Sequence, residues 1–426
     1  MIWRLLYTLA LYALLPLVIA RLWWRGRREP GYRRRVGERF GVYKENPERP
    51  VLWVHAVSVG EARASAPLVH ALLAAHPECE ALLTCMTAAG REALKQIYGE
   101  SVRIAWLPYD YPGAVRRFLE HFRPRLGVLM ETEIWPNLLP ACRSYGVPLL
   151  LANARMSEKS ERGYARWSGL ARPAFGCLAA VCAQSEADAA RLRALGAPQV
   201  AVTGNLKFDI APDAAKHAAG RAWRERLGRP VLLLASTREG EEKTLLDALG
   251  PPPADALVVA VPRHPQRFDE VATLAQSRRS RGESPGPGDR VHLGDTMGEM
   301  DFYYAAADVA VIGGSFAPLG GQNLIEACAA GVPAVLGPSM FNFAEATRLA
   351  LEAGAAIQAP DAAGAMRAAR ELLGEAAQRA RMGEAGRKLC AAHRGATERH
   401  LALCRRLLLE KHRPDSVLDA GGSART

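Results

Sequence analysis

The hydrophobic positions of this chain form two series of short apolar runs, and segments with helical periodicity separate most of them. The runs predict strands at 51–56, 81–87, 103–108, 126–133, 147–153, 180–185 and 200–205, then at 231–236, 256–262, 290–295, 309–315, 334–338 and 355–359. Continuous apolar strands that alternate with helices are typical of parallel sheets covered on both faces. The pattern therefore predicts an α/β protein whose two domains face each other across a cleft.

The junction between the two domains is predicted at residues 207–219, where the sequence turns polar and contains Pro212. We therefore place an N-terminal domain at 29–208 and a C-terminal domain at 209–410, which suits a chain of 426 residues. Three further segments are predicted from composition: an N-terminal segment with a basic flank at 1–28, an exposed loop at 277–290 and a disordered tail at 411–426.

The N-terminal segment carries an uncharged apolar run at residues 5–20, with Trp3 before it and Trp23 and Trp24 after it. A membrane span usually needs about 20 apolar residues, although about 17 suffice when the bilayer thins. No small-residue cleavage site follows the run, so a removable signal peptide is not expected. The run predicts an uncleaved membrane-anchor helix that spans the bilayer or lies in its interface. The alternative is a buried first helix of a soluble domain.

Positive charge is concentrated directly after this run. Eight arginines and two glutamates lie between Arg21 and Arg39, so more than half of the net charge of +11 sits in this short stretch. Such a patch holds its side of a membrane protein in the cytoplasm and attracts anionic lipids. Because the excess is local, we expect no nucleic-acid partner.

The cysteines and histidines give no sign of disulfides or of a metal site. The eight cysteines form no C-x-x-C pair and mostly lie in apolar surroundings, which predicts reduced core residues. No H-E-x-x-H, His-Cys cluster or Asp-rich loop occurs. We therefore predict neither a bound metal nor another cofactor.

Polar residues follow many of the predicted strands, at the edge where open α/β sheets bind ligands. In the first half these include Glu61, Glu131, Glu133 and Lys207. The two glutamates at 131 and 133 are expected on one side of a strand, where two carboxylates are costly unless a cation or a substrate hydroxyl uses them. Both halves thus direct functional groups to one edge, which suits a two-substrate enzyme.

The stretch WVHAVSVGEA places Glu61 in the first turn of a helix, just after a strand and Gly60. A helix start favours the anionic carboxylate, so this residue is either a helix cap or a base of ordinary pKa. The stretch also comes within one residue of a nucleophile elbow around Ser58. A serine hydrolase would need an acid and a histidine downstream. His393 and His400 are candidates, but no acid is placed to orient them.

In the second half, the stretch VIGGSFAPLGGQNLIEACAAG contains two glycine pairs before a predicted helix. Glycines allow close approach to a ligand, and free N–H groups at a helix start bind phosphate. Glu326 lies one turn into the helix, where its carboxylate can accept ribose hydroxyls. Arg263, in VPRHP, is a candidate phosphate ligand. The alternatives are a plain glycine-rich connection and a surface arginine.

Seven ordered segments carry a family resemblance: WVHAVSVGE, ETEIWPN, TGNLKFD, STREGEE, VPRHPQRF, DTMGEM and GGSFAPLGGQNLIE. Together with the N-terminal segment they resemble the family of 3-deoxy-D-manno-octulosonic acid (Kdo) transferases over roughly residues 1–400. The resemblance implies a GT-B fold and transfer of Kdo from CMP-Kdo to a lipid A precursor at the inner membrane, with the body on the cytoplasmic face. Position by position it implies Glu61 as base and Glu131 and Lys207 as supporting residues. It also implies a CMP-sugar site that comprises Pro262, Arg263, Met297, Gly298, Glu299, Asn323, Leu324, Ile325 and Glu326, to which we add Gly313, Gly314 and Ser315.

The chain departs from the family pattern at two places. Arg238 stands where the family usually has histidine in S-T-H-x-G-E-E, and MTAAG at 86–90 replaces a common Thr-Pro-Thr-Gly form. Two readings besides the hydrolase stay open. A related GT-B enzyme would use a UDP-sugar, which competition by UDP would reveal. A non-enzymatic binding protein would bind CMP without forming product.

Overall fold

The computed structural model describes residues 2–250 and 255–410, so the predicted disordered tail at 411–426 lies outside the described residues. The chain divides into two compact units. Unit 1 contains the residues up to Ile210 together with those from Gly395 onward, and unit 2 runs from Ala211 to Arg394. In contrast to the predicted range 209–410, the last helix therefore belongs to unit 1, where it packs against the helix that follows the first strand.

Unit 1 is built on a seven-stranded sheet in which every pairing is parallel. Its order is β3-β2-β1-β4-β5-β6-β7. The strands are β1 Val51–His55, β2 Glu80–Cys85, β3 Arg103–Trp106, β4 Leu126–Met130, β5 Leu149–Ala154, β6 Ala180–Ala183 and β7 Val200–Val202. All seven strands predicted for this half are present.

Unit 2 holds a second seven-stranded parallel sheet, in the order β10-β11-β9-β8-β12-β13-β14. The strands are β8 Val231–Thr237, β9 Leu257–Pro262, β10 Ser277–Arg278, β11 Val291–Leu293, β12 Val309–Ile312, β13 Ala334–Leu336 and β14 Ala356–Gln358. Two parallel-sheet α/β domains confirm the predicted fold class at this level.

Helices connect most of the strands. They are α1 Ile2–Ala13, α2 Leu15–Arg28, α3 Val59–Ala75, α4 Ala88–Tyr98, α5 Pro112–Phe122, α6 Leu138–Ser144, α7 Glu158–Arg166, α8 Ser168–Phe175, α9 Glu186–Ala194, α10 Ala214–Leu227, α11 Glu241–Leu249, α12 Phe268–Ala272, α13 Met300–Ala306, α14 Ile325–Ala330, α15 Ala344–Glu352, α16 Ala362–Gly374, α17 Ala376–Ala392 and α18 Ala396–Glu410.

The central strands consist mostly of apolar residues because both of their faces are covered. In β1 all five residues are buried, with Trp53 in the core on one face of the sheet and Leu52 and Val54 in the core on the other. Alternate residues of a strand point to opposite faces, so a doubly covered strand needs an unbroken apolar run. The same rule explains why the sequence predicts these strands well.

The predicted exposed loop at 277–290 contains regular structure. Ser277 and Arg278 form the edge strand β10, and a short 3₁₀ helix follows at Arg279–Arg281. The Arg278 side chain pairs with Asp295, which follows β11, and this ion pair fastens the segment to the sheet. Local composition does not reveal such a partner.

The predicted anchor run forms two helices, because α1 and α2 meet at a 53° bend. Pro16 stands in the first turn of α2, where its ring and missing N–H prevent one continuous helix. In the described residues no single helix has the length and apolarity to cross a bilayer, whereas the bent pair passes that test jointly. A single long anchor helix is thus not found. The alternative of a buried first helix is wrong, because α1 contains no buried residue.

Only part of the basic patch is exposed on the surface. Arg39 is 1% exposed, and its guanidinium carbon lies 3.9 Å from the centre of the Trp106 ring. Arg25 lies over the Tyr32 ring at 4.4 Å and donates to its hydroxyl. The prediction that all eight arginines meet lipid is therefore wrong for Arg39, which belongs to the core of unit 1.

Candidate active site

An acidic cluster forms at the carboxyl edge of the sheet in unit 1. Glu61 lies in the first turn of α3, directly after β1, and Glu131 follows β4. Strands β1 and β4 are hydrogen-bonded neighbours, with Val54 opposite Val128. Parallel neighbours end at the same edge, so the two carboxylates predicted from separate motifs come together.

The Glu61 carboxylate is anchored by the turn that precedes α3. Its Oε2 accepts a hydrogen bond from the Val57 N–H at 2.8 Å, and its Oε1 accepts one from the Ser58 hydroxyl at 2.9 Å. Ser58 in turn caps the helix by accepting from the Glu61 N–H. This arrangement resembles a capping box, except that Glu61 accepts from the N–H of the residue before the N-cap, so the cap interpretation is correct as far as it goes.

Glu61 nevertheless differs from an ordinary helix cap in its protonation. Burial first, and then the negative charge of Glu131, raise the pKa of Glu61 from 4.5 to about 7, although its two hydrogen bonds act in the opposite direction. Our expectation of an ordinary pKa is therefore wrong. A carboxylate with a pKa near neutrality suits a general base better than the ordinary one that we expected.

Glu131 is the ionised member of the cluster. Its carboxylate binds the Lys207 ammonium at 3.2 Å and the Arg155 guanidinium at 3.2 Å. Burial alone raises its pKa, but Lys207 and Arg155 more than reverse this effect, so the pKa lies below its ordinary value. The residue has a φ of 58° and lies beyond the end of β4, which corrects the expectation that it sits within a strand. Positive φ in a non-glycine residue is uncommon and concentrates at functional sites.

Glu133 is the third carboxyl group of the cluster. It accepts a hydrogen bond from the Trp135 indole at 2.9 Å, and its Oε2 lies 3.9 Å from Nε2 of His55. Burial first, and the charge of Glu131 in addition, raise the pKa of Glu133 to about 7. His55 is fully buried, and its Nδ1 lies 3.1 Å from the Thr84 carbonyl oxygen and 2.9 Å from the Thr84 hydroxyl oxygen. Burial lowers the pKa of His55 to about 3, so the ring is neutral.

Lys207 is held in place by a short 3₁₀ helix at Leu206–Asp209. The Asn205 side chain caps this turn by accepting from the Lys207 N–H at 3.0 Å. Asn153, near the end of β5 with a φ of 52°, accepts from the Leu206 N–H through its side chain and donates its own backbone N–H to Nε2 of His400 in α18 at 3.0 Å. The lysine is therefore positioned by β5 and by the last helix together.

The serine hydrolase alternative lacks its histidine. The Ser58 hydroxyl donates to Glu61, and among the described residues no histidine is recorded in contact with it. His400 is buried, with Nδ1 directed at the Ala396 carbonyl and Nε2 at the Asn153 N–H. His393 belongs to unit 2. The residues required for a catalytic triad are not assembled around Ser58.

In unit 2 the residues predicted to bind the CMP-sugar follow neighbouring strands. Arg263 follows β9, which ends at Pro262, and its N–H donates to the carbonyl of Thr237, at the end of β8. A Cβ at Gly313, just after β12, would lie 2.5 Å from the Thr237 Cα, so glycine permits this close approach. The sheet order β9-β8-β12 thus brings three predicted motifs to one edge.

The N–H groups of the two glycine pairs are hydrogen-bonded within unit 2. The Gly314 N–H donates to Glu241, the Gly320 N–H to the Ser339 hydroxyl, and the Gly321 N–H to the Gly314 carbonyl. The Ser315 hydroxyl is buried and donates to the Ile312 carbonyl. These amides are committed within the protein, and the expectation that N–H groups at the start of the following helix bind phosphate stays a prediction.

The remaining residues of the predicted CMP-sugar site differ in exposure. Met297 is exposed, whereas Leu324 and Ile325 are buried and can offer a ligand only backbone atoms. The Asn323 amide donates to Glu326 at 3.0 Å, at the start of α14.

Glu299, in the predicted CMP segment, is already engaged within unit 2. Both of its oxygens accept from Arg279, at 2.8 and 2.9 Å. The neighbouring Gly298 carbonyl accepts from Lys216 at 3.0 Å. Glu299 therefore acts through an ion pair rather than as a free acceptor for a sugar.

Sequence reasoning missed three residues of these sites. Arg155 directly follows β5, so the rule of strand ends could have found it. Arg279 lies in a segment interpreted as loop, and Glu241 was noted only within STREGEE. Their partners Glu299 and Gly314 are distant in sequence, so spacing gives no signal.

Two parallel-sheet α/β units with functional groups at their carboxyl edges define the architectural class of the GT-B glycosyltransferases. Residues 34–210 match the family model for 3-deoxy-D-manno-octulosonic-acid transferase (kdotransferase), and residues 281–389 match glycosyl transferases group 1. Among solved structures, Anabaena Alr3699/HepE in complex with UDP covers 84% of this chain and 99% of its own, at 15% identity and a TM-score of 0.58. This likeness concerns the fold alone.

Two relatives carry the family assignment. The 3-deoxy-D-manno-octulosonic acid transferase of Bordetella pertussis is 50% identical over 93% of this chain and 97% of its own length. The protein of the same name from Haemophilus influenzae is 34% identical over 94% of this chain and 98% of its own. The chain belongs to the Kdo transferase family and is a glycosyltransferase.

Proposed function

We propose that this protein transfers Kdo from CMP-Kdo to a lipid A precursor, with inversion at the anomeric carbon. Membership in the Kdo transferase family supports Kdo as the sugar that is transferred. The observation that carries the chemistry is the half-buried carboxyl of Glu61, whose pKa is raised to about 7, next to the ion-paired Glu131. One group accepts a proton near neutral pH, and the other stays charged.

Glu61 acts as the general base in this proposal. Its carboxylate takes the proton from an acceptor sugar hydroxyl while that oxygen forms a bond to the anomeric carbon of Kdo. The bond from that carbon to the CMP phosphate oxygen breaks, and CMP leaves with the electron pair. A positioned base contributes typically about 10²–10⁴-fold to such a step. The hydrogen bonds from Val57 and Ser58 fix the direction of the carboxylate.

Glu131, Lys207 and Arg155 act as a charged support. The two cations and the single carboxylate leave a net positive charge, since each cation lies 3.2 Å from Glu131. Such a preorganised charge stabilises negative charge that moves during the reaction. Lys207 and Arg155 would therefore face the carboxylate of Kdo or its departing phosphate.

Unit 2 binds the CMP-sugar in this proposal. Arg263 is the residue that we expect to meet the phosphate, and Glu326 the one that meets the ribose. We propose that protein cations balance the leaving phosphate without a resident metal. Among the described residues no group of three or more His, Cys, Asp or Glu side chains has an arrangement that could hold a metal ion.

The bent pair of helices α1 and α2 binds the protein to the cytoplasmic face of the inner membrane in this proposal. Large apolar side chains of both helices are exposed, including Trp23 at 54% and Trp24 at 56%. Arg28 lies over the Trp24 ring and Arg33 over the Trp23 ring, at 5.0 and 4.9 Å. Aromatic rings next to arginines suit the interface of an anionic bilayer.

The test is product analysis by mass spectrometry. Detergent-solubilised protein is incubated with a tetraacylated lipid A precursor and with CMP-Kdo generated in situ. We expect acceptor masses raised by one or more Kdo residues, and loss of product in Glu61→Gln with CMP binding retained. Product formation by that variant at the wild-type rate would remove Glu61 from its role. Inhibition by UDP but not CMP would instead indicate a UDP-sugar enzyme.

A further inference from the structure

Glu241 connects two loops at the carboxyl edge of the sheet in unit 2. It lies in the first turn of α11 and is 4% exposed. Its Oε2 accepts hydrogen bonds from the N–H groups of Arg238 at 2.8 Å and Gly314 at 2.6 Å, and its Oε1 accepts one from Phe316 at 3.1 Å. One side chain thus joins the turn after β8 to the loop after β12. These strands are hydrogen-bonded neighbours in the sheet.

Backbone amides from two loops stabilise the charge of this carboxylate. All three of its hydrogen bonds come from backbone N–H groups. The adjacent Glu242 is also buried but pairs with Arg267 through two hydrogen bonds of 2.7 and 2.8 Å. Successive loop amides ordinarily form an anion-binding site. Here the protein fills that position with its own carboxylate.

We propose that Glu241 is a positioning residue for donor binding. It draws the amides of residues 314 and 316 inward, so the loop presents the backbone faces of Gly313 and Gly314 to the CMP-sugar. Phosphate recognition is then left to side-chain cations rather than to the glycine amides. This inference rests on the proposed function, because it requires that the CMP-sugar binds at this edge of unit 2.

The variant Glu241→Gln retains the size of the side chain but turns one of its acceptors into a donor. At least one of the three amides then loses a charge-assisted hydrogen bond, which corresponds to roughly a tenfold change in affinity. We expect the KM for CMP-Kdo and the Kd for CMP to rise about tenfold, with kcat at saturating donor nearly unchanged. Amide hydrogens of 313–316 should exchange faster with deuterium.

The matched control is Glu242→Gln, on the same helix and equally buried. It leaves Arg267 without its full partner, so we expect a lower thermal midpoint but an unchanged KM for CMP-Kdo. If Glu241→Gln behaves in the same way, its role is structural and the inference is overturned. If Glu241→Gln does not fold, Glu241→Asp keeps the charge and shortens the reach. A raised donor KM in Glu241→Asp supports the inference, and an unchanged one overturns it.

CMP binding by the wild type separates this inference from the proposed function. Wild-type protein that binds no CMP would contradict the proposed donor, and the inference would fall with it. If the wild type binds CMP, and folded Glu241→Gln binds CMP with the same affinity and shows the same amide exchange, the inference is overturned and the proposed function is not.

Discussion

Replacement of Glu61 by glutamine should stabilise the protein at alkaline pH while it abolishes transfer. Burial and the charge of Glu131 raise the pKa of Glu61 from 4.5 to about 7. One pKa unit corresponds to about 1.4 kcal/mol, so the ionised carboxylate destabilises the fold by about 3 kcal/mol. Glutamine keeps the shape, can still accept from the Val57 N–H, and carries no charge.

The sign of the pH dependence follows from the two states of Glu61. Below pH 4.5 the carboxyl is protonated in both the folded and the unfolded chain, so it has no effect on stability. Between pH 4.5 and 7 only the unfolded chain releases the proton freely, and the penalty grows with pH. Above pH 7 the full penalty of about 3 kcal/mol applies. The advantage of Glu61→Gln should therefore be small at pH 5 and complete at pH 8.

The assay is thermal unfolding of both proteins at pH 5 and pH 8, followed by intrinsic fluorescence. For a unit of this size, 1 kcal/mol corresponds to about 2–4 °C, so we expect Glu61→Gln to melt about 6–12 °C higher at pH 8. Glu186→Gln is the matched control, because Glu186 also lies in the first turn of a helix but its side chain is 80% exposed. An equal difference at both pH values, or a lower midpoint at pH 8, would refute the reasoning.

Three further predictions concern the acidic cluster and the N-terminal helices. We expect kcat/KM to rise with pH around 7 as Glu61 loses its proton. Glu133→Gln should move this rise to lower pH, because it removes a neighbouring negative charge that raises the pKa of Glu61. A rise at unchanged pH would contradict the effect of Glu133 on Glu61. Lys207→Gln should lower kcat about 10²-fold or more with CMP affinity retained, as measured by product formation and calorimetry. Replacing Trp23 and Trp24 by serine should reduce flotation of the protein with phosphatidylglycerol vesicles, and high salt should reduce flotation of the wild type. If the variant floats as well as the wild type, these two rings do not contribute to membrane binding.

The fold was predictable because its main signal is local. A strand covered on both faces, such as β1 with Trp53 and Val54, must be an unbroken apolar run. The rule that ligands bind at the carboxyl ends of strands then brings Glu61 and Glu131 together without any knowledge of distances. The broken N-terminal helix was also readable in principle, because Pro16 interrupts the run.

The details of the sites depend on partners that are distant in the sequence. Gly314 looks like a phosphate ligand until its N–H is found on Glu241. Glu61 looks like an ordinary carboxylate until its burial and the neighbouring Glu131 are known. In the sequence Arg39 is one of eight clustered arginines, yet in the structure it stacks on Trp106. Hydrogen-bond satisfaction, pKa values and burial are properties of the assembled structure, so local patterns do not determine them.

The return of the last helix to unit 1 has a consequence for how the protein is made. Unit 2 is a single uninterrupted segment, whereas unit 1 requires residues 395–410 as well as its first 210. During synthesis unit 2 can therefore finish folding before unit 1, although it is translated later than most of unit 1. The turn that carries Lys207 is tied through Asn153 to His400. A nascent chain thus exposes helices α1 and α2 long before the turn that carries Lys207 has its full support, which comes only once α18 has been made.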